Sequence, residues 1–378
     1  MANATSKLRV TFFIAVCCLS LGSCSRAEQQ FSKLPGFTEY FKSHVPKDEI
    51  PNTLEQTLLE QHRPTIYKAK EQAGPIDFYN DYIARGRLSV NGKALSDKVT
   101  PELLNKHRDN PAAMFEYTGR HQSPGTPLVY GRVDYEKVNH NARQYDFTFL
   151  TYNLVFPVSG ILKGLGTLQT IALAGSGNLD DWHQLDHYVS VTVALLNDQA
   201  VAMTLQQHNY HTTYFLDKNT PDISVDIAKR SNEIYPHSAE QLKHPAVSFL
   251  TAKNIGFIVS GKNKPLLAGY DVTHGEQEVK YKLGFLPQTD AFYQFKGSLG
   301  KSRLLPGRSG PPGADYATLP GLMPRAVRLV TGYRTESVEQ ETALQSALFD
   351  KKNFAVRPDA ITDYKERFFK SLELLIAR

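Results

Sequence analysis

Tyr188-Val189-Ser190-Val191-Thr192-Val193-Ala194-Leu195 is the stretch on which the reading of the fold turns. Val189, Val191, Val193 and Leu195 fall on one face, and Ser190, Thr192 and Ala194 on the other, which is the two-residue period of a β-strand. Asn197-Asp198 follows, a pair suited to a tight turn because both residues tolerate a left-handed backbone. Ala200 to Gln206 is then the expected hairpin partner. Further out, Leu128 to Val133 and Tyr145 to Phe156 are rich in aromatic and branched residues and read as strands too. Val247 to Leu250 and Ile255 to Val259 read as a pair around Asn254, and Glu278 to Leu286 as one more strand. Strands joined in succession by short turns predict antiparallel sheet. The expected class is α+β: an antiparallel β-sandwich-like core with helices before it and a C-terminal helix docked against it.

The helices announce themselves by their ends. Thr53-Leu54-Glu55-Gln56 fits the capping-box pattern, and that helix should stop near His62 because Pro64 cannot continue it. Pro75 to Arg85 predicts a second short helix, with Pro in its first turn and Gly86 just past its end. Ile76, Tyr79 and Ile83 would share its buried stripe. At the far end, Asp359 caps a segment in which Ile361, Tyr364, Phe368, Leu372 and Leu375 recur every three or four residues. Pro306 to Pro324 holds nine Gly or Pro among 19 residues and reads as a loop or boundary. Ile161 to Leu173 is apolar and Gly-rich. A helix packed over the sheet accounts for it, and a surface touching lipid or a partner is the alternative.

Before the body stands an export signal. Lys7 and Arg9 precede Val10 to Gly22, an apolar run of 13 residues interrupted by Thr11 and Ser20. As a helix it spans about 20 Å, short of the roughly 30 Å hydrocarbon core of a bilayer. A short apolar run behind positive charge reads as a cleaved secretory signal. Leu21-Gly22-Ser23-Cys24 resembles the lipobox of bacterial lipoproteins. That resemblance implies cleavage before Cys24, acylation of Cys24 with palmitate-type chains, and a firm anchor on a membrane. Ser25 in place of an Asp after the cysteine implies the outer membrane, with the body periplasmic or surface-facing. All three cysteines (Cys17, Cys18, Cys24) lie within the first 24 residues. The body therefore has no thiol for a disulfide, a thiolate–metal site or a cysteine nucleophile, and its stability must come from its core.

These readings divide the chain into a signal (1–23), a lipidated tether (24–34), a helical lead-in with a sandwich-like body (35–305), the Gly/Pro-rich loop (306–324), and a C-terminal strand and helix packed on the body (325–378). The formal charge of +5 becomes +3 once Lys7 and Arg9 leave with the signal. No segment is dense enough in Lys and Arg for a nucleic-acid footprint, so nucleic acid is not an expected partner. Gly300-Lys301-Ser302 ends like a phosphate loop, but Phe295 stands where that pattern needs Gly. Gly175-Ser176-Gly177 lacks the spacing of a nucleophile elbow, and no His-Glu-x-x-His helix appears.

The densest polar cluster is Asp180-Asp181-Trp182-His183-Gln184-Leu185-Asp186-His187, directly before the Val-rich strand. His208 and His211 lie on or just past its hairpin partner, so His187 and His208 should fall near the same open end. Imidazoles with carboxylates suit a divalent metal ion or acid–base work. The expected metal ligands are His183, Asp186 and His208, with Asp181 and His187 as further candidates. Trp182 and His211 are candidate ligand contacts, Trp182 serving either as a platform or as an anchor at the rim of the core. His183 and His187 would stand about 13 Å apart in an extended strand, so both reach one ion only if the chain turns there. A polar loop with solvated or hydrogen-bonded histidines accounts for the same residues.

Here the chain resembles the necrosis-inducing and Vps62-like proteins, whose hallmark is His-x-x-Asp-Trp-Glu opening a Val-rich strand. The likeness rests on His183-Gln184-Leu185-Asp186-His187-Tyr188 before Val189-Ser190-Val191, on Gln207 to His211 after the next strand, and on Thr126 to Tyr130 and Leu150 to Phe156 upstream. It covers about Pro64 to Phe215. His187 and Tyr188 replace the hallmark Trp and Glu; in a second register Asp181-Trp182 match, but His183 replaces Glu. The carboxylate expected to hold metal is missing either way. The resemblance implies a β-sandwich whose loops form a polar site. The expected role is a non-catalytic envelope lipoprotein that binds a ligand or partner (an envelope protein, lipid or glycan) at the outer membrane. The alternative is a metal-dependent hydrolase acting on an envelope lipid or glycan.

Overall fold

The structure is a computed structural model that describes residues 47–119, 125–158, 184–207, 210–217, 219–251, 265–300 and 373–374. Its first helix, α1 (Thr53–Gln61), is capped by Asn52, one residue before the expected Thr53. The Asn52 side chain accepts from the amides of Leu54 and Glu55, and Glu55 Oε2 accepts from the Asn52 amide at 2.9 Å. Asn is the stronger cap, and the charged Glu55 closes the box better than Gln56 does. Gln56 instead donates to the Pro51 carbonyl. The helix stops at His62 as expected.

The second expected helix is shorter and wider than its pattern suggests. Asp77 caps a π-turn over Phe78–Tyr82, followed by a 3-10 turn over Ile83–Arg85. Asp77 accepts from Tyr79 and Asn80, which starts the helical turn past Pro75. Of the expected buried stripe, Ile76 and Ile83 are buried, while Tyr79 is half-buried and donates its hydroxyl to Asp290.

β5 (Leu128–His140), β6 (Arg143–Val158), β7 (Gln184–Leu196), β8 (Gln199–Gln207) and β9 (Tyr210–Phe215) form an antiparallel meander. Asn197 and Asp198 both take positive φ, 50° and 62°, which makes the two-residue turn between β7 and β8. The short β15 (Lys282–Gly284) completes this six-stranded sheet by pairing parallel to the start of β5. A second sheet of four strands runs β11 (Ile234–Pro236), β10 (Ser224–Ile227), β1 (Thr65–Lys68), β14 (Gln277–Glu278). The β1–β10 pair is also parallel. Parallel neighbours need long connections, so a reading based on short turns misses both. The expected strand Glu278–Leu286 is split accordingly, one piece to each sheet.

The two sheets share one core. Val189, Val191, Val193 and Leu195 of β7 pack in the same buried cluster as Ile66, Val225, Ile227 and Ile234 of the four-stranded sheet. The opposite face of β7 is closed as well: Ser190, Thr192 and Ala194 are all buried. The Thr151 and Thr192 hydroxyls meet there at 3.2 Å, which satisfies polar groups in a central strand. The fold is thus α+β and β-sandwich-like.

A second apolar cluster joins β2 (Gly86–Val90) and β4 (Ala113–Tyr117) to Phe78, Tyr82, Phe292 and Phe295, while β3 (Lys93–Ser96) pairs along the outer edge of β2. Two short helices, α2 (Pro101–Lys106) and α3 (Ala291–Gln294), flank it.

Val247–Leu250 lies in β12 (Leu242–Thr251), whose partner is β13 (Pro265–Thr273) and not the expected Ile255–Val259. Ile255–Val259, Ile161–Leu173 and Pro306–Pro324 lie outside the described residues. Of the C-terminal helix, Glu373 and Leu374 are described as helical, and Glu373 accepts a hydrogen bond from the Tyr145 hydroxyl at 3.2 Å. Among the described residues, no helix is long and apolar enough to cross a membrane.

Candidate functional site

The Asp186 region is built by an irregularity in β7. Leu154 pairs with Val189 but Phe156 pairs with Asp186, so two steps along β6 face three along β7. Such a bulge turns side chains away from their regular direction. Leu185, just before Asp186, adopts φ +57° although it is not glycine, a conformation that costs of order 1–3 kcal/mol and persists only when packing enforces it. Leu185 is fully buried.

Asp186 itself is 1% exposed. Its Oδ2 accepts from Asn232 Nδ2 at 2.8 Å, and the same amide donates to the Val158 carbonyl at 3.0 Å. One side chain therefore ties β7, the end of β6 and the turn before β11 together. A buried carboxylate needs such donors. Asn232 takes φ +61°, which Asn tolerates better than most residues.

Asp181, Trp182, His183 and His208 lie outside the described residues. His187 and His211 occupy backbone positions in β7 and β9. Pairing of Val189 with Gln207, Gln207 with Tyr210 and Gln206 with His211 brings the start of β7 and the β8–β9 turn to one end of the sheet. Asp186 is the one expected ligand whose side chain is described. Among the described residues, no group of three or more His, Cys, Asp or Glu side chains converges as metal ligands would.

A different polar centre stands on the outer face of the four-stranded sheet, and the sequence reading missed it. Tyr67, Asp226 and Tyr235 are register partners in a row across β1, β10 and β11. Asp226 is fully buried. His237 Nδ1 lies 2.6 Å from Asp226 Oδ1, and the Ser238 amide donates to Oδ2 at 3.1 Å. The His237 ring stacks on Tyr67 at 3.9 Å between centroids. Gly275 closes on the pair so tightly that a Cβ there would stand 2.6 Å from His237 Nδ1. At the other end of the row, His244 stacks on Tyr235 at 3.5 Å, and its Nε2 meets Thr273 Oγ1 at 2.9 Å. Burial pushes the Tyr235 hydroxyl well above its ordinary pKa, and nearby Glu233 adds to the shift.

Asp271, on β13, is 1% exposed; its Oδ2 accepts from Ser231 N, Ser231 Oγ and Arg230 N. These bonds pin the β12–β13 hairpin to the turn before β11. The visible signal for the Asp226 centre was one acid inside the apolar strand Ser224-Val225-Asp226-Ile227. An acid on a short strand that the core needs must find a partner.

A cleft of about 120 Å³ opens beside α1, lined by Lys47, Asn52, Glu55, Arg132 and Gln288 among others. Its charges largely answer one another. Lys47 pairs with Glu55 at 3.4 Å and Arg132 with Asp134 at 3.2 Å, while Gln288 donates to Asp134. Comparison with protein-family models, with curated proteins and with solved structures finds no match.

Proposed function

We propose that this chain is an exported envelope lipoprotein, held at the outer membrane by lipid on Cys24, whose body binds a ligand or partner there without catalysing a reaction. The observation that carries this reading is Leu21-Gly22-Ser23-Cys24 behind a short apolar run, in a chain whose three cysteines all lie within the first 24 residues. A cysteine kept at that position, with no thiol in the body, fits a role in lipid attachment rather than in redox or metal chemistry. The weak resemblance to necrosis-inducing and Vps62-like proteins supports the loop end of β7 as the binding end.

The test is metabolic labelling of the full-length chain with an alkynyl fatty acid, followed by membrane fractionation, for wild type and Cys24→Ala. Label on the wild type alone, with wild type in the outer-membrane fraction, supports the reading. Equal labelling of both, or none in either, overturns it. The rival proposal is a metal-dependent hydrolase using His183, Asp186 and His208. It is favoured by the bulge and strained Leu185 that set Asp186 at the end of β7. It requires a bound divalent ion that is lost in the His183→Ala/His208→Ala double variant.

A further inference from the structure

Lys47, the first described residue of the body, stands 23 positions after Cys24, and the chain is fastened in place there. The Lys47 amide donates to Gln288 Oε1 at 3.3 Å, and the Thr289 hydroxyl donates to Asp48. A chain of that length spans at most about 80 Å, so whatever holds Cys24 acts on the body through this corner.

The same corner leaves large apolar side chains in solvent. Ile50 is 55% exposed, Leu54 68% and Tyr135 49%, three of the six such side chains among the described residues. Lys47 links them. Its Nζ stands 5.2 Å from the Tyr135 ring centre and 3.4 Å from Glu55, the residue after Leu54, and Ile50 shares the cleft that Lys47 and Glu55 line. Val133 and Leu286 add apolar wall to that cleft. A lone exposed apolar residue is ordinary, but a gathered set marks a surface that meets something. Charge does not choose the partner: Lys47 is answered by Glu55, and Glu49 lines the same cleft. Tyrosine among aliphatic side chains suits the boundary of a bilayer, where the ring is apolar and the hydroxyl stays wet.

We propose that this face, made by Ile50, Leu54 and Tyr135 around Lys47, rests on the bilayer that holds Cys24. It rests on the lipoprotein reading above and deepens it. The patch is too small to hold a soluble protein on a membrane by itself; the anchor supplies the effective concentration, and the patch sets the orientation. Orientation decides where a ligand is met. Tyr135 pairs with Thr148 and Thr148 with Leu195, whereas Asp186 stands nine residues back along β7. At about 3.3 Å per residue, the Asp186 end is about 30 Å from the patch. With the patch down, the loop end of β7 is carried away from the anchoring bilayer. Its ligand is met in the aqueous space and is not a headgroup of that bilayer.

The test is fluorescence quenching on the full mature chain, purified with its lipid and reconstituted into phosphatidylcholine vesicles. With Cys24 acylated, a cysteine placed at Leu54, at Tyr135 or at the exposed Thr126 is the one free thiol and takes a bimane label. Lipids carrying a nitroxide near the headgroup should quench Leu54→Cys and Tyr135→Cys about twofold or more above Thr126→Cys, which lies about 30 Å from Tyr135 along β5. Adding Ile50→Ser and Leu54→Ser should drop Tyr135→Cys to the Thr126→Cys level while the chain still floats with the vesicles. Equal quenching at all three positions, or the most at Thr126→Cys, overturns the face and leaves the anchor standing. Flotation reads the anchor separately: a chain that floats no better than Cys24→Ala fails as a lipoprotein, and the membrane-resting face falls with it.

Discussion

Asn232 and Asp186 are 46 residues apart in the chain, yet a single 2.8 Å bond from amide to carboxylate joins them beneath the surface. Asn232 uses the same nitrogen to hold the Val158 carbonyl. Both partners of this bond lie beside or within left-handed backbone, Leu185 before Asp186 and Asn232 itself. The bond thus fixes the bulged start of β7, the segment that carries the predicted polar cluster.

Replacing Asn232 with Ala removes donors from a buried carboxylate and leaves a left-handed residue with no side-chain compensation. A loss of about 2–3 kcal/mol is expected, read from urea denaturation. Asn232→Asp should cost more, because two carboxylates would then face each other in a buried place. A smaller effect for Asp than for Ala would show that the bond does not hold β7.

The Tyr152 hydroxyl donates to the Leu59 carbonyl at 2.9 Å, tying α1 to the middle of the sheet. Tyr152→Phe should cost about 1 kcal/mol. Leu59 is fully buried, and Leu59→Ala should cost about 2–5 kcal/mol because it leaves a cavity between α1 and β5. Thermal or urea unfolding of both variants checks the ranking, with Leu59→Ala the less stable.

Burial holds the His62 imidazole below its ordinary value of 6.5, with Asp198 pulling the other way. The unfolded chain therefore binds a proton more readily than the folded one, so stability rises with pH through this group. Its contribution is complete above pH 6.5 and is lost as pH falls from there through the lowered folded value. In His62→Gln, urea midpoints measured from pH 7.5 down to 5 should fall less steeply than in wild type. Identical slopes would remove His62 from the account.

Gly275→Ala would place a Cβ 2.6 Å from His237 Nδ1, and both side chains of the Asp226–His237 pair are held from other directions. A loss of about 1–3 kcal/mol is expected from this crowding. Calorimetric melting of the variant checks it, and an unchanged melting temperature would mean that the pair is free to move.

Asp271→Asn should cost about 2 kcal/mol, since a charged acceptor of three bonds to Arg230 and Ser231 becomes a neutral amide with one oxygen. Proteolysis should then enter β12–β13 sooner than in wild type. Unaltered cleavage of that hairpin would show that Asp271 does not anchor it.

Period and turn chemistry are local, and they carried the centre of the six-stranded sheet, β5 to β8. Val189 to Leu195 had to be a strand because its apolar residues alternate, and Asn197-Asp198 had to turn because both accept positive φ. The same locality explains why the cap is Asn52 and not the expected Thr53: two overlapping patterns, Asn52 to Glu55 and Thr53 to Gln56, competed, and only hydrogen-bond geometry separated them. Little of the candidate site was legible. Asp186 stood out as part of a polar cluster, but its donor comes from a turn 46 residues later, which no local pattern encodes. Asp226 lies in a short strand that no local pattern marked, and its partners come from β1 and from His237 just past β11.

The sequence by itself determined β5 to β8 of the meander, the exit of the first helix, and the motif at Cys24, because each depends on residues within a few positions of one another. Tertiary structure alone decided which strands run parallel, that both faces of β7 are buried, and that His237 meets Asp226 and Gly275. Those outcomes arise when buried polar groups must find partners and apolar faces must find cover, and the groups that supply both come from distant parts of the chain.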